Sequence, residues 1–149
     1  ARDGYPDREA RDSAMADWIE STGAELIALA GYMQLVSSGF VQRFRNRIVN
    51  VHPALLPSFP GLDAIGQAIK QGVKVTGVTV HFVDEGTDTG PVISQTAVEV
   101  PANWDREELE AAIHAVEHQI YPEAIGMIAR GEVKIADDDP RKVIVTPRK

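Results

Sequence analysis

Apolar positions recur at steps of three and four from Asp7 to Thr22, where Ala10, Ala14, Trp18 and Ile19 mark one side and Gly23 supplies a stop, so this stretch predicts a helix. The rhythm then changes. Ala24 to Ala30 is a short, nearly continuous apolar run, the pattern of a strand buried on both faces. Ser37 and Ser38 precede a second helical stripe of Phe40, Val41 and Phe44, and Ile48 to Val51 predicts the next strand. Leu62 to Gln71, closed by Gly72, predicts a third helix, and Val75 to Val83 is an alternating, β-branched strand. Asp84 to Pro91 contains two glycines and a closing proline and predicts a loop. Val92 to Val100 then returns as a strand, antiparallel to its predecessor because the connection is short. Asp105 caps a long helix over Arg106 to Arg130, expected to bend at Tyr121-Pro122 and stopped by Gly131. Val133 to Ile135 and Val143 to Val145 are brief extended pieces flanking the solvated run Asp137 to Asp139.

The order αβαβαββαβ predicts an α/β fold: an open, mainly parallel sheet with helices on both faces and an antiparallel C-terminal extension. Residues 1–149 are expected to form a single domain, with 136–149 as a C-terminal tail. Ligands of open α/β sheets bind beyond the carboxyl ends of the parallel strands. Gly31 to Val36 and Asn50 to Gly61 both fall at such ends.

Composition narrows the function classes. At 44% hydrophobic and 25% charged, the chain is ordinary for a soluble globular protein. No apolar run approaches the roughly 20 residues of a membrane span, and the N-terminal residues carry no signal-peptide core. The absence of cysteine excludes disulfides, thiolate metal sites and cysteine nucleophiles, and makes the cytoplasm the expected compartment. Net charge is −7, and the densest basic stretch is Arg43, Arg45 and Arg47 near a helix end, where cations suit the dipole. Neither nucleic acid nor a membrane is expected as a partner.

The candidate chemistry sits in Asn50-Val51-His52-Pro53-Ala54-Leu55-Leu56-Pro57-Ser58-Phe59-Pro60-Gly61. Residues i and i+2 of a strand share a face, so Asn50 and His52 emerge side by side where the strand meets a stiff, proline-rich loop. An aimed amide donor beside a titratable imidazole suits acyl-type chemistry. The same residues also fit a plainer role, with Asn50 opening a turn and His52 satisfying a loop carbonyl. Asp88 shares its loop with Asp84 and Glu85, a crowding that raises the pKa of at least one carboxyl and lets a carboxylate pair with an imidazolium. It too could be a plain turn residue. No second histidine lies within a few positions of that loop, so no metal is expected there. His81, mid-strand, is expected to be a core histidine with one satisfied nitrogen. His114 and His118 stand at i, i+4 on one helix with Glu117 between them and are expected to form a surface or ligand-facing stripe.

Taken together, AGYMQLV, IVNVHPALLPSFPG, TGVTVHFVDEGTDTGPVISQ and EHQIYPEAI resemble the phosphoribosylglycinamide formyltransferases, over about Arg8 to Ile135. Methionyl-tRNA formyltransferases and formyltetrahydrofolate deformylases share part of the pattern. His52-Pro53, Phe59-Pro60-Gly61, Val80-His81-Phe82 and Glu117-His118 favour the first family. The sequence departs from that family at Ala54, where a serine is usual, and at Gln34, where many members carry arginine. Family members open with a βαβ portion whose glycine-rich loop holds the ribonucleotide phosphate. Nothing of that kind is present in these residues, so the resemblance implies the C-terminal two-thirds of a Rossmann-like formyltransferase domain with the N-terminal strands missing.

The resemblance implies formyl transfer from 10-formyltetrahydrofolate to the amine of glycinamide ribonucleotide, without a metal, in purine synthesis. It makes Asn50, His52 and Asp88 catalytic. It places the folate against Arg8, Met33, Gln34, Leu35, Val36, Asn50 and the loop Asp84, Glu85, Gly86, Thr87, Asp88, and the ribonucleotide against His114 and Glu117. The assembly expected is a homodimer or a pairing with a complementary N-terminal chain. The alternatives are a deformylase or methionyl-tRNA formyltransferase relative, or a folate-binding fragment that is inactive without the missing portion.

Overall fold

A computed structural model describes residues 4–31 and 35–146. Its sheet is organised around β2 (Ile48–His52), whose consecutive residues Ile48 and Val49 are both fully buried but face opposite sides, each in a different core. On one side Val49 joins Val78, Val80 and Phe82 of β3 (Val75–Phe82) and Ile93 and Val98 of β4 (Val92–Glu99). The long helix α4 (Arg106–Ala129) covers that side with Leu109, Ile113, Ile120 and Ala124. On the other side Ile48 meets Ala16 of α1 (Arg8–Thr22) and Phe40 and Val41 of α2 (Ser38–Arg43), with Phe44 closing the cluster.

The four-stranded sheet has the order β1-β2-β3-β4 and is mixed. β1 (Ile27–Ala28) pairs parallel with β2, whereas β2 pairs antiparallel with β3, and β3 with β4. The α/β class holds, with helices on both faces. The parallel share is smaller than the hydrophobic pattern implied, because the antiparallel part begins one strand earlier. The link from β2 to β3 carries α3 (Ala64–Gln71), which packs against α4 and returns the chain alongside β2 in the reverse direction. β1 is also shorter than the apolar run Ala24 to Ala30, although the backbone bonds Ile27 N to Arg47 O and Leu29 N to Val49 O extend its hold on β2. β5 (Val133–Ile135) and β6 (Val143–Val145) form an antiparallel hairpin, so three residues of the expected tail are structured.

One further difference has a physical cause. On α1 the buried positions are Asp12 and Ala16, and Trp18 is 68% exposed. A carboxylate displaces the expected apolar stripe because it is fully satisfied: Asp12 pairs with Arg11, and the Ser37 backbone N–H donates to it at 2.6 Å. Ser37 in turn caps α2, so this buried acid fixes the approach to residues 35–37. α4 runs as one helix through Pro122.

Tyr121 of α4 ties the helix to β2 and to the residue that follows β1. Its hydroxyl donates to Leu29 O at 2.6 Å and lies 3.0 Å from Val49 O. Burial pushes the phenol well above its ordinary pKa, so it stays a neutral donor. Tyr121→Phe leaves the Leu29 carbonyl without that donor and should lower unfolding free energy by about 1–2 kcal/mol, read from urea denaturation.

Candidate active site

The strand register puts polar groups on one side of β2 and β3. Asn50 lies opposite His81 and His52 opposite Thr79, while their neighbours Val49, Val51, Val80 and Phe82 turn to the α4 core. Beyond His52 the proline loop is fastened to this polar face. Thr79 Oγ1 donates to Ala54 O at 2.7 Å and accepts from Leu56 N at 3.1 Å. Gln95 Nε2 donates to Leu56 O and to Thr79 Oγ1. Further along, Gln67 Nε2 donates to Pro60 O and Leu62 O. The stiffness expected of this segment therefore has a cause beyond its prolines: its carbonyls are bonded to the sheet and to α3.

The loop of residues 84–89 is folded on itself and clamped from outside. Asp84 Oδ1 accepts from Gly86 N at 3.0 Å and from Thr89 Oγ1 at 2.5 Å. Arg45 pairs with Glu85, and Arg141 reaches across to donate to Thr89 O. Gly90 closes the loop against β3, where an added Cβ would sit 1.7 Å from Phe82 O. Asp88 adopts a left-handed backbone (φ 55°), a region that Asp and Asn tolerate better than most residues. Its carboxylate points back at the proline loop. Oδ2 accepts from Gly61 N at 2.8 Å and lies 3.5 Å from His52 Nδ1, and Oδ1 lies 3.7 Å from His81 Nε2.

Asn50, His52 and Asp88 are thus brought together on the wall of one cavity of about 650 Å³. His52 is 5% exposed, and its Nε2 donates to Phe59 O at 2.8 Å, so both ring nitrogens face oxygen acceptors. Only the imidazolium can donate to both. The plainer role for His52, satisfying a loop carbonyl, is present alongside the pairing with Asp88. No hydrogen bond among the described residues engages the Asn50 side chain, which leaves its amide donors open to a ligand.

Leu35, Val36 and Asp84 to Asp88 line the same cavity, as do His114 and Glu117 from α4. Met33 and Gln34 lie outside the described residues. Arg8 is exposed at the start of α1 and is not part of the lining. His118 is exposed and also lies outside it. The crowded carboxylates of the loop do not drive Glu85 upward: the Arg45 guanidinium bonded to it holds its pKa below the ordinary range. The carboxyl that rises is Glu117, pushed up by burial against the opposing pull of His114, His118 and His52. Pattern reading missed Asp63 and Arg106, paired at 2.6 Å on the cavity rim, and it placed His81 in the core without its outlook on Asp88. Only the pairing of Asn50 with His81 could have revealed the latter.

The pattern of the formyl transferase family matches residues 1–125. The chain belongs to that family. Within it, the phosphoribosylglycinamide formyltransferase of Bacillus subtilis is 47% identical over 132 residues, covering 86% of this chain and 68% of the relative. The crystal structure of glycinamide ribonucleotide transformylase 1 from Symbiobacterium toebii superposes with a TM-score of 0.92 at 47% identity, over 98% of this chain and 68% of that one. A formyltetrahydrofolate deformylase from Pseudomonas syringae shares the fold at a TM-score of 0.87 but only 28% identity, over 95% of this chain and 46% of that one. The resemblance drawn from the sequence motifs is therefore correct, and this formyltransferase spans about two thirds of the length of its phosphoribosylglycinamide relatives. No helix among its described residues is long and apolar enough to cross a membrane.

The raised carboxyl of Glu117 has a consequence for stability. Between the ordinary glutamate pKa and the raised native one, the folded state binds more protons than the unfolded chain, so stability falls as pH rises through that window. Glu117→Gln should be the more stable protein at about pH 7, with the difference closing below about pH 4, as read from thermal melts across pH.

Proposed function

We propose that the chain transfers a formyl group from 10-formyltetrahydrofolate to the primary amine of glycinamide ribonucleotide, in purine biosynthesis. The observation that carries this reading is the meeting of an unengaged Asn50 amide with the His52–Asp88 pair on one cavity wall. Attack of an amine on a formyl carbon turns the carbonyl oxygen into an oxyanion, and this wall offers two donors to it. Asn50 presents its amide N–H directly. His52 Nε2 stays on Phe59 O, and Nδ1 faces Asp88 across 3.5 Å, a loose contact that leaves its N–H to be shared with the oxyanion without turning the ring. Each such donor is typically worth about 3–4 kcal/mol of barrier.

Asp88 serves both states. At rest its carboxylate faces His52 Nδ1, and once that N–H is shared with the substrate oxyanion the same carboxylate is a base for the proton that the attacking amine must lose. No group on the enzyme needs to carry the formyl covalently. The pterin would lie between Leu35-Val36 and the loop of residues 84–88. His114 and Glu117, which also line the cavity, would contact the ribonucleotide. Folate and ribonucleotide are thus the small-molecule partners this reading assigns.

The test is a product assay with both substrates: tetrahydrofolate and formylated ribonucleotide should appear in equal amounts, whereas formate without formylated product would make the chain a hydrolase. Asn50→Ala, His52→Ala and Asp88→Asn should each lower turnover by roughly 100-fold or more, with asparagine chosen at 88 because it accepts the left-handed backbone. Each should keep a cooperative urea transition, and unchanged turnover in all three would remove the catalytic assignment.

A further inference from the structure

His81 is a buried titratable group that the mechanism so far leaves idle. It is 2% exposed, lies opposite Asn50 in the strand register and borders the cavity. Its Nδ1 donates to Phe82 O at 2.8 Å, which orients the ring and sends Nε2 toward Asp88. Among the described residues Nε2 has no hydrogen-bond partner, and it stands 3.7 Å from Asp88 Oδ1. With Nδ1 carrying its proton, a neutral ring presents a lone pair to a carboxylate: two acceptors, with no proton between them. A buried nitrogen left in that state is destabilising, and one proton placed between the two groups removes the conflict.

We propose that His81 is a positioning residue that accepts, at Nε2, the hydrogen bond of Asp88 once that carboxylate has taken the proton of the attacking amine. The inference rests on the formyl-transfer reading above and extends it. As the new C–N bond forms and the formyl oxygen becomes an oxyanion, the His52 Nδ1 N–H is shared with that oxygen. Asp88 then takes the proton lost by the amine, directly or through a water, and its O–H closes onto His81 Nε2. When the oxyanion collapses and the bond from carbon to the folate N10 breaks, the proton passes from Asp88 to that nitrogen. The enzyme ends as it began, with no redox step and no net proton. The charged groups facing His81 are Asp88 and Asp84, which favour its cationic form, and His52, which opposes it, while burial holds its pKa below the ordinary histidine value.

Two measurements decide the proposal. In the ¹⁵N-imidazole spectrum, His81 should titrate at lower pH in Asp88→Asn than in the unmodified protein, because the carboxylate that favours its protonation is gone. An unchanged His81 titration would overturn the pairing. In the product assay His81→Phe keeps the ring volume and removes both nitrogens; it should lower kcat by roughly tenfold with KM for the folate within about twofold, and His81→Gln should recover most of that loss. A folded His81→Phe that keeps kcat within about twofold would overturn the positioning role. If the unmodified chain makes no formylated product, the transfer reading fails on its own, and the titration still decides whether His81 and Asp88 share a proton.

Discussion

A carboxylate accepts hydrogen bonds and cannot donate them, so one held with only 14% of its side chain exposed depends on the donors that meet it. Asp88 is that group. Its Oδ2 accepts from Gly61 N and faces His52 Nδ1, so one oxygen joins the proline loop after β2 to the loop after β3. Neither loop would present its chemistry alone. The left-handed backbone at Asp88 and the bare Cα of Gly90 against Phe82 O are the local conditions that turn the carboxylate inward.

The rest of the fold supplies the rigidity this arrangement needs. β2 is buried on both faces, so its alternation delivers Ile48 and Val49 to two different cores while sending Asn50 and His52 to the cavity. Thr79 and Gln95 then fasten the proline loop to the sheet, and Tyr121 fastens α4, with its cavity-facing His114 and Glu117, to β2 and the end of β1. Preorganised donors are effective because they need not reorient when charge develops. The packing of these side chains, rather than the identity of the proposed catalytic residues alone, is what meets that requirement.

How much of this could be read from the residues follows from which forces are local. β3, β4 and α4 were legible to within a residue or two, because alternation and capping are written in neighbouring positions. The direction of β3 was not, since it depends on α3 packing against α4, a contact between distant segments. The buried face of α1 was misjudged because Asp12 is held inside by Ser37 N and Arg11, a satisfaction no hydrophobicity pattern reports. The face shared by Asn50 and His52 followed from strand geometry, but the partnership with Asp88 came from the family motif, and the outlook of His81 needed the strand register. Arg45 looked like a helix-end cation and instead braces Glu85 of the binding loop.

The central claim is that this cavity is built to receive a formylated reduced folate beside Asn50, His52 and Asp88. Calorimetric titration with a 10-formylfolate analogue that cannot transfer its formyl group tests it most directly. The account predicts saturable binding to one site per chain, weakened when Asp84→Ala releases the bonds that Asp84 makes to Gly86 and Thr89. No binding by a chain that circular dichroism shows to be folded would contradict it.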